Sequence, residues 1–137
     1  VREKNYSLSE DFKTDGQTSY FIIAEDIDKD LIIGTIAIHQ PNDVLLKISN
    51  NDLKDSTELG TLMVDPEYRR QGISKKLTDE IYKEFQRRGI KEFCFDCGYP
   101  IAQKIWIKRF GKPDYRRINM WGNDVDHLIW VRPVPEV

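Results

Sequence analysis

The sequence predicts a mixed α/β fold in which a single, mostly antiparallel sheet is flanked by helices. Two patterns predict this class. Short runs of β-branched and aromatic residues, separated by polar turns, lie in both halves of the chain. Between them, apolar side chains recur every fourth residue, as on one face of an amphipathic helix. The chain has 137 residues, 39% of them hydrophobic, so it is long enough to bury a core without disulfide bonds.

The first half of the chain predicts four strands after a polar start. The start, residues 1–18, shows no clear hydrophobic period. Strands at 20–24 and 31–38 surround a polar cluster, which is typical of an antiparallel hairpin. The connector that follows carries one short strand at 44–48, and a further strand at 57–64 is ended by a proline.

The second half predicts two helices among three strands. Ile73, Leu77, Ile81 and Phe85 lie four residues apart and define the apolar face of the first helix, which Gly89 ends. The remaining elements are a strand at 90–97, a helix at 101–109 opened by Pro100, and strands at 115–121 and 127–132.

No internal repeat, low-complexity tract or linker interrupts this order of elements. We therefore divide the chain into an N-terminal segment, residues 1–18, and one domain, residues 19–137. The aromatic residues near the end, Tyr115, Trp121 and Trp130, are interpreted as core residues, with a dimer contact as the alternative.

The charge balance argues against two classes of partner. The chain has 21 basic and 23 acidic residues, a net charge of −2, and so lacks the overall positive field that attracts nucleic acid or an anionic membrane. Its apolar runs are shorter than the roughly 18 residues of a membrane span. A secretion signal is not visible and cysteines are few, so we expect a cytoplasmic protein.

Cys94 and Cys97 form a C-x-x-C pair within a predicted strand. Residues three apart on a strand point to opposite faces, so the two thiols are expected to diverge. We interpret them as packing residues. A redox pair and a metal site are the alternatives, and a four-ligand zinc site is poorly supported because a second cysteine pair is missing.

The turn between the strand at 57–64 and the first helix predicts an anion site. It carries Arg69 and Arg70 and reaches the helix at Gly72. The first N–H groups of a helix have no intrahelical partner and the helix dipole is positive there, so a phosphate fits this position. Glycine allows close approach and arginine adds fork-shaped donors. An ordinary strand–turn–helix with surface arginines is the alternative.

The same segment resembles motif A of the GNAT family of N-acetyltransferases. That motif reads [QR]-x-x-G-x-[GA] after V-x-P, and here Val64, Pro66, Arg69, Gly72 and Ser74 take the patterned places. Ser74 replaces the usual glycine or alanine. The order of the other elements from about residue 20 to 133 agrees with the family. The resemblance implies a GNAT-like (acyl-CoA N-acyltransferase) fold with a reduced N-terminal region.

The resemblance also implies an activity, a cosubstrate and the residues that bind it. The activity is transfer of an acetyl group from acetyl-CoA to a small-molecule or peptide amine, by direct attack in a ternary complex and without a metal. The pyrophosphate would lie on the backbone amides of Arg70, Gln71, Gly72, Ile73 and Ser74 beside the Arg69 side chain, and the pantetheine arm along Leu62, Met63 and Val64.

The acyl end needs a base, for which Glu58 is the candidate. An amine must be neutral to attack, and Glu58 opens the strand before motif A, where some family members carry a basic glutamate. A solvated charge at a strand end is the alternative. Many members also have a tyrosine acid on the helix after the fifth strand, but Trp106 stands there, and Phe110-Gly111 reverses a usual pair. Either no acid is needed, since a CoA thiolate is a tolerable leaving group, or Tyr99 or Tyr115 serves as the acid, with packing as the alternative role of both.

Only about 18 residues precede the first predicted strand, fewer than the strand and two helices usual in the family. The acceptor side would then be open, completed by a homodimer or a further domain, or missing if the chain is a fragment. Two other functions follow as alternatives. One is a non-catalytic GNAT-fold module that binds CoA or a protein partner. The other, a toxin acting on aminoacyl-tRNA, is disfavoured by the charge.

Overall fold

A computed structural model describes residues 6–11 and 19–136 of the chain. The elements in chain order are β1 Tyr6–Asp11, β2 Ser19–Asp26, β3 Leu31–His39, α1 Asp43–Ile48, β4 Glu58–Val64, a 3-10 helix Pro66–Tyr68, α2 Ile73–Arg87, β5 Glu92–Cys97, α3 Pro100–Phe110, β6 Tyr115–Arg117 and β7 His127–Pro133. Within this part of the chain, each helix is too short or too polar to cross a membrane.

The chain forms two compact units. Among the described residues, the first comprises 6–11, 19–39, 59–91 and 134–136, and the second comprises Gln40–Glu58 and Glu92–Pro133. The boundary therefore falls inside β4, after its first residue.

In the first unit, β1, β2, β3 and β4 lie side by side in that order. β1 pairs antiparallel with β2, and β2 with β3, with a register shift between Ala24 and Glu25. α2 packs on β2 and β3 with the apolar face that the sequence predicts. The buried core residues of this unit include Ile22, Ala24, Ile33, Ile36, Ile73, Leu77, Ile81 and Phe85.

Gly34 on β3 allows α2 to approach the sheet closely. A Cβ built at this residue would lie 3.1 Å from Leu77 Cδ1 and 3.2 Å from the backbone oxygen of Met63. Both distances are shorter than an ordinary van der Waals contact, and a backbone oxygen within a sheet cannot move aside easily. The absence of a side chain at residue 34 is therefore what allows this packing.

The second unit contains one parallel pair and an antiparallel set. Glu58, the first residue of β4, pairs parallel with Cys94 of β5. β7 lies between β5 and β6 and pairs antiparallel with both. Its core combines an aliphatic cluster around Leu45 and Ile129 with an aromatic one. The rings of the aromatic cluster are those of Phe95, Trp106, Phe110 and Trp130.

The structure corrects three elements of the sequence prediction. The polar start contains a strand, β1, and the rest of the segment 1–18 lies outside the described residues. Residues 44–48 form helix α1, not a strand. Asn42 caps this helix, since its side chain accepts a hydrogen bond of 3.0 Å from Leu45 N–H.

The predicted strand 115–121 is also wrong in length, since β6 ends at Arg117. The Asp126 carboxylate accepts a hydrogen bond from the backbone N–H of Asn119, and the backbone N–H of Trp121 donates to Val125 O. These bonds close a turn in place of strand pairing. Trp130 is buried as predicted, whereas Trp121 is 53% exposed and is not a core residue.

Replacing Gly34 tests the packing of α2 on the sheet. We expect Gly34→Ala to lower the free energy of unfolding by about 1–3 kcal/mol, because the new methyl group overpacks against Leu77 and the Met63 carbonyl. Urea denaturation measures this change. Ile32→Ala on the same strand is the control, since Ile32 is exposed and its loss should cost within about 0.5 kcal/mol. Equal effects of the two substitutions would contradict the close approach.

Candidate functional site

The basic turn before α2 has an unusual backbone. Asp65 caps the 3-10 helix by accepting a hydrogen bond of 2.9 Å from Glu67 N–H. Two residues then take positive φ values, 65° at Arg70 and 80° at Gly72. Positive φ is costly for an arginine, and such strain collects at sites of function.

The N-terminus of α2 is free of the usual caps. Gly72 is its N-cap residue, and among the described residues no side chain caps the helix and no acidic residue lies in its first turn. A Cβ built at Gly72 would meet no atom of the described chain within 4 Å. The first N–H groups of this 15-residue helix thus lack a side-chain cap and the Cβ position of Gly72 is open, which fits a phosphate or diphosphate.

A buried hydrogen bond anchors this turn to β2. The Tyr68 hydroxyl donates to Asp26 Oδ2 over 2.5 Å, and both residues are buried. The bond lowers the pKa of Asp26 and raises that of Tyr68 to about 12. Tyr68 directly precedes Arg69, so the bond holds the turn where the predicted anion site begins.

Strand β4 contains a strained residue that the sequence does not reveal. Thr61 has a φ of 51°, a genuine outlier for a β-branched residue. Its backbone oxygen accepts a hydrogen bond of 2.7 Å from Thr35 Oγ1, and its hydroxyl lies 2.8 Å from His39 Nε2. His39 Nδ1 in turn lies 2.8 Å from Ser19 Oγ, and burial lowers the pKa of His39. Neighbouring strands thus hold the distortion in place.

The residues predicted to bind the pantetheine arm follow Thr61 on β4. Leu62 and Val64 are half-buried and Met63 is 65% exposed. Apolar side chains on a strand that are this exposed offer a surface to a ligand. The predicted diphosphate residues follow within ten positions of the same unit.

Glu58 lies in the second unit and is buried, with 7% of its surface exposed. Its Oε1 accepts two hydrogen bonds from Asn42, 2.9 Å from the backbone N–H and 3.1 Å from the side-chain amide. Burial first, and then the charge of Asp96, raise the pKa of Glu58 to about 7 against the lowering effect of Asn42. The alternative of a solvated charge is therefore wrong.

A group of residues that the sequence analysis did not single out adjoins Glu58. Asp96 Oδ2 lies 3.4 Å from the Asn42 amide nitrogen and 2.8 Å from His127 Nε2. His127 Nδ1 lies 3.0 Å from the indole nitrogen of Trp121. These residues are up to 85 positions apart, from Asn42 to His127, so spacing offers no signal that would find them.

The two candidate acids differ in their surroundings. Tyr99 is 77% exposed at the start of α3. Tyr115 packs against the aliphatic cluster of the second unit, and its pKa is raised, mainly by burial. Trp106, at the family's usual tyrosine place, packs its ring 5.7 Å from that of Phe95.

Cys94 and Cys97 are free and buried. Cys94 Sγ lies 3.5 Å from the Thr57 oxygen, and Cys97 Sγ lies 3.7 Å from the Tyr99 oxygen. Burial raises the pKa of Cys94 to about 11, so its thiol stays protonated at neutral pH. These observations favour the interpretation of both as packing residues.

Comparison with known proteins gives one family. The model of the Acetyltransferase (GNAT) family matches residues 2–111, about four fifths of the chain. No curated protein matches the chain in sequence.

Solved structures of the same family share the fold. The ribosomal-protein-S18-alanine N-acetyltransferase from Escherichia coli is 18% identical, with 89% of this chain and 73% of that chain covered and a TM-score of 0.64. A GNAT acetyltransferase from Elizabethkingia anophelis, solved with acetyl-CoA bound, is 12% identical with 96% and 99% covered and a TM-score of 0.64. A GNAT-family protein from Desulfovibrio desulfuricans is 15% identical with 86% and 71% covered and a TM-score of 0.65. The predicted fold class is thereby confirmed.

The buried charge of Glu58 should appear in the stability of the protein. The pKa of Glu58 is raised in the folded state, so its contribution to stability is present below pH 4.5 and is lost as pH rises through about 7. We expect Glu58→Gln, which keeps the acceptor oxygen, to stabilise the protein relative to the wild type by about 3 kcal/mol more at pH 8.5 than at pH 4.5. Urea denaturation at both values measures the difference.

Glu92→Gln on exposed β5 surface is the control and should show no such dependence. A difference between Glu58→Gln and the wild type that does not change with pH would contradict the raised pKa.

Proposed function

Since this chain belongs to the acetyltransferase (GNAT) family, we propose that it transfers an acetyl group from acetyl-CoA to a primary amine by direct attack in a ternary complex. The observation that carries this proposal is the uncapped N-terminus of α2, where Gly72 leaves the first N–H groups open to a diphosphate. The family alone does not require that feature to be intact in this chain.

The cosubstrate would be held by backbone more than by side chains. Each charge-assisted hydrogen bond contributes about 1.5–3 kcal/mol, so three or four would suffice for micromolar binding, about 8 kcal/mol. The donors proposed for the diphosphate are the amides of Arg70, Gln71, Gly72, Ile73 and Ser74, with the Arg69 guanidinium beside them. Leu62, Met63 and Val64 would contact the pantetheine arm.

Glu58 is proposed as the base. An amine with the pKa of lysine, about 10.4, costs about 4.6 kcal/mol to deprotonate at pH 7. A carboxylate whose pKa is about 7 accepts that proton far more readily than an ordinary glutamate, while half of it is still ionised at pH 7. When bound, acetyl-CoA supplies the acyl group as an activated thioester. Glu58 would take the proton of the ammonium, so that the neutral nitrogen can form the C–N bond as the thioester C–S bond breaks. The second proton that the nitrogen loses in that step would go to the departing thiolate.

A general acid would protonate the CoA thiolate as it leaves. The Trp106 indole cannot release a proton near neutral pH. Of the two candidates, Tyr99 is the more accessible, whereas burial opposes ionisation of Tyr115. A CoA thiolate is a tolerable leaving group, so the reaction does not depend on an acid. Tyr99 and Tyr115 stay predictions.

The acceptor is proposed to be a small-molecule or peptide amine. The acidic pair of buried Glu58 and half-buried Asp96 favours a cationic amine over an anionic substrate. The Escherichia coli neighbour is named for acetylation of an alanine of a ribosomal protein, which is said of that protein alone. A cytoplasmic location and a homodimer or further domain at the acceptor side stay predictions.

Turnover with an amine panel is the direct test. We expect acetyl-CoA and at least one primary amine to release free thiol, measured with a thiol reagent, and the product to gain one acetyl group by mass. Thermal stabilisation by CoA without thiol release for any amine would favour the alternative, a non-catalytic module that binds CoA.

The anion site can be tested by a matched pair of glycine substitutions. Gly72 and Gly89 lie at opposite ends of α2, with φ values of 80° and 75° and open space at the Cβ position. Glutamate at either residue carries the same backbone cost. We expect Gly72→Glu to weaken CoA binding at least about 100-fold, roughly 2.7 kcal/mol, by placing a carboxylate where the diphosphate binds, and Gly89→Glu to leave it unchanged. Calorimetry measures both affinities, and equal losses would refute the site.

The role of Glu58 can be tested by the pH dependence of turnover. Without the base, the amine must lose its proton to solvent, which becomes easier at high pH. We therefore expect Glu58→Gln to lower kcat/KM about 100-fold at pH 7 and much less at pH 9. Steady-state kinetics across this range checks the change, with Glu92→Gln as the control. A uniform loss at all pH values would remove Glu58 from this role.

A further inference from the structure

Trp121 is joined to Glu58 by an unbroken series of hydrogen bonds inside the second unit. The indole nitrogen contacts His127 Nδ1 at 3.0 Å, and His127 Nε2 contacts Asp96 Oδ2 at 2.8 Å. The Asn42 amide nitrogen bridges the two carboxylates, 3.4 Å from Asp96 Oδ2 and 3.1 Å from Glu58 Oε1. Glu58 and His127 are buried, whereas Trp121 is 53% exposed.

The chemistry of the indole assigns the tautomer of His127. An indole N–H can only donate, so Nδ1 of His127 must accept and carries no proton. The ring hydrogen is then on Nε2, which donates to the Asp96 carboxylate. A second proton cannot reach Nδ1 unless Trp121 moves away. The contact therefore fixes one tautomer of His127, with the ring hydrogen on Nε2.

Gly98 makes room for this contact. A Cβ built at Gly98 would lie 2.8 Å from the Trp121 indole nitrogen and 2.9 Å from His127 Nδ1. Any side chain at this residue would push the two rings apart. The turn that carries Trp121 is itself fixed by a backbone hydrogen bond, in which the backbone N–H of Trp121 donates to Val125 O at 3.0 Å. The geometry around the indole is thus determined from two sides.

A neutral His127 leaves the charge of Asp96 uncompensated beside Glu58. The groups that act on Glu58 are Asp96 and Cys94 from β5 and the neutral Asn42 from the start of α1. His127 and Asp126 lie on the β7 side. The Asp126 carboxylate is paired with Arg116, and His127 contacts Asp96. Among these described groups, an imidazolium at residue 127 would be the only cation close enough to neutralise Asp96.

We propose that Trp121 is a positioning residue for the base: by blocking Nδ1 of His127, it keeps Asp96 an unneutralised anion and so sets the pH at which Glu58 gains its proton. The proposal rests on the role of Glu58 given above. The raised pKa of Glu58, to which Asp96 contributes after burial, agrees with it.

Trp121→Phe tests the proposal by removing the indole N–H while keeping an aromatic ring. Without the N–H, His127 can take a second proton on Nδ1 and form an ion pair with Asp96. Repulsion on Glu58 then falls, so its carboxylate forms more readily. We expect the acid limb of the kcat/KM profile and the 13C titration of the Glu58 carboxyl to move together to lower pH, by about one unit. 15N NMR of the imidazole should show protonation of both nitrogens in the same range.

A second variant separates this effect from loss of packing. Glutamine at residue 127 can still donate to Asp96 but never becomes charged. We therefore expect Trp121→Phe combined with His127→Gln to return the acid limb and the carboxyl titration to their wild-type pH. If the double variant behaves like Trp121→Phe alone, the effect does not pass through His127 and the proposal is overturned.

The two readouts also distinguish this proposal from the proposed function. In Trp121→Phe, the carboxyl titration could move while the acid limb of the kcat/KM profile remains at its wild-type pH. That result supports the action of Trp121 on Glu58 and overturns the assignment of Glu58 as the base. A titration that stays at its wild-type pH overturns the action of Trp121, whatever the kinetics of Glu58→Gln show.

Discussion

An uncapped helix N-terminus is the constraint from which the proposed chemistry of this protein follows. With glycine as its N-cap residue, α2 loses roughly a few tenths of a kcal/mol relative to a serine or aspartate cap and keeps a positive electrostatic potential at that end. Here the chain accepts left-handed backbone at Arg70 and Gly72 to arrange those groups, and the Tyr68–Asp26 bond holds the turn to β2. The helix is stable without a cap because its apolar face is buried on β2 and β3. Packing thus supports an arrangement that local propensity alone would disfavour.

Glu58 illustrates the same exchange between stability and function in the second unit. A buried carboxylate next to another one destabilises the fold at neutral pH, and a hydrophobic residue would pack there at lower cost. Asn42 stabilises the ionised form with two hydrogen bonds and, in the same position, caps α1. Asp96 acts in the opposite direction. Burial and the Asp96 charge, opposed by the Asn42 hydrogen bonds, bring the pKa of Glu58 to about 7, where a base for amines is useful.

Much of the fold follows from local pattern, and the errors have local causes too. The four-residue period of α2 and the β-branched runs of β2 and β3 survive into the structure with small changes of boundary. The strand predicted at residues 44–48 is wrong because a run of five apolar and polar residues fits a strand or a helix equally. The Asn42 cap decides in favour of the helix. β1 is missed because its pairing with β2, not its own hydrophobicity, makes it a strand.

The sequence by itself determined the family and predicts the diphosphate site before α2, because a motif of adjacent residues with one glycine describes a backbone shape that local bonds create. It also identified Glu58 by its place before that motif. Only the tertiary structure decided the surroundings of Glu58, since Asn42, Asp96, His127 and Trp121 come from four separate segments. Burial and through-space charge depend on where segments meet in space, and a pattern along the chain does not record that.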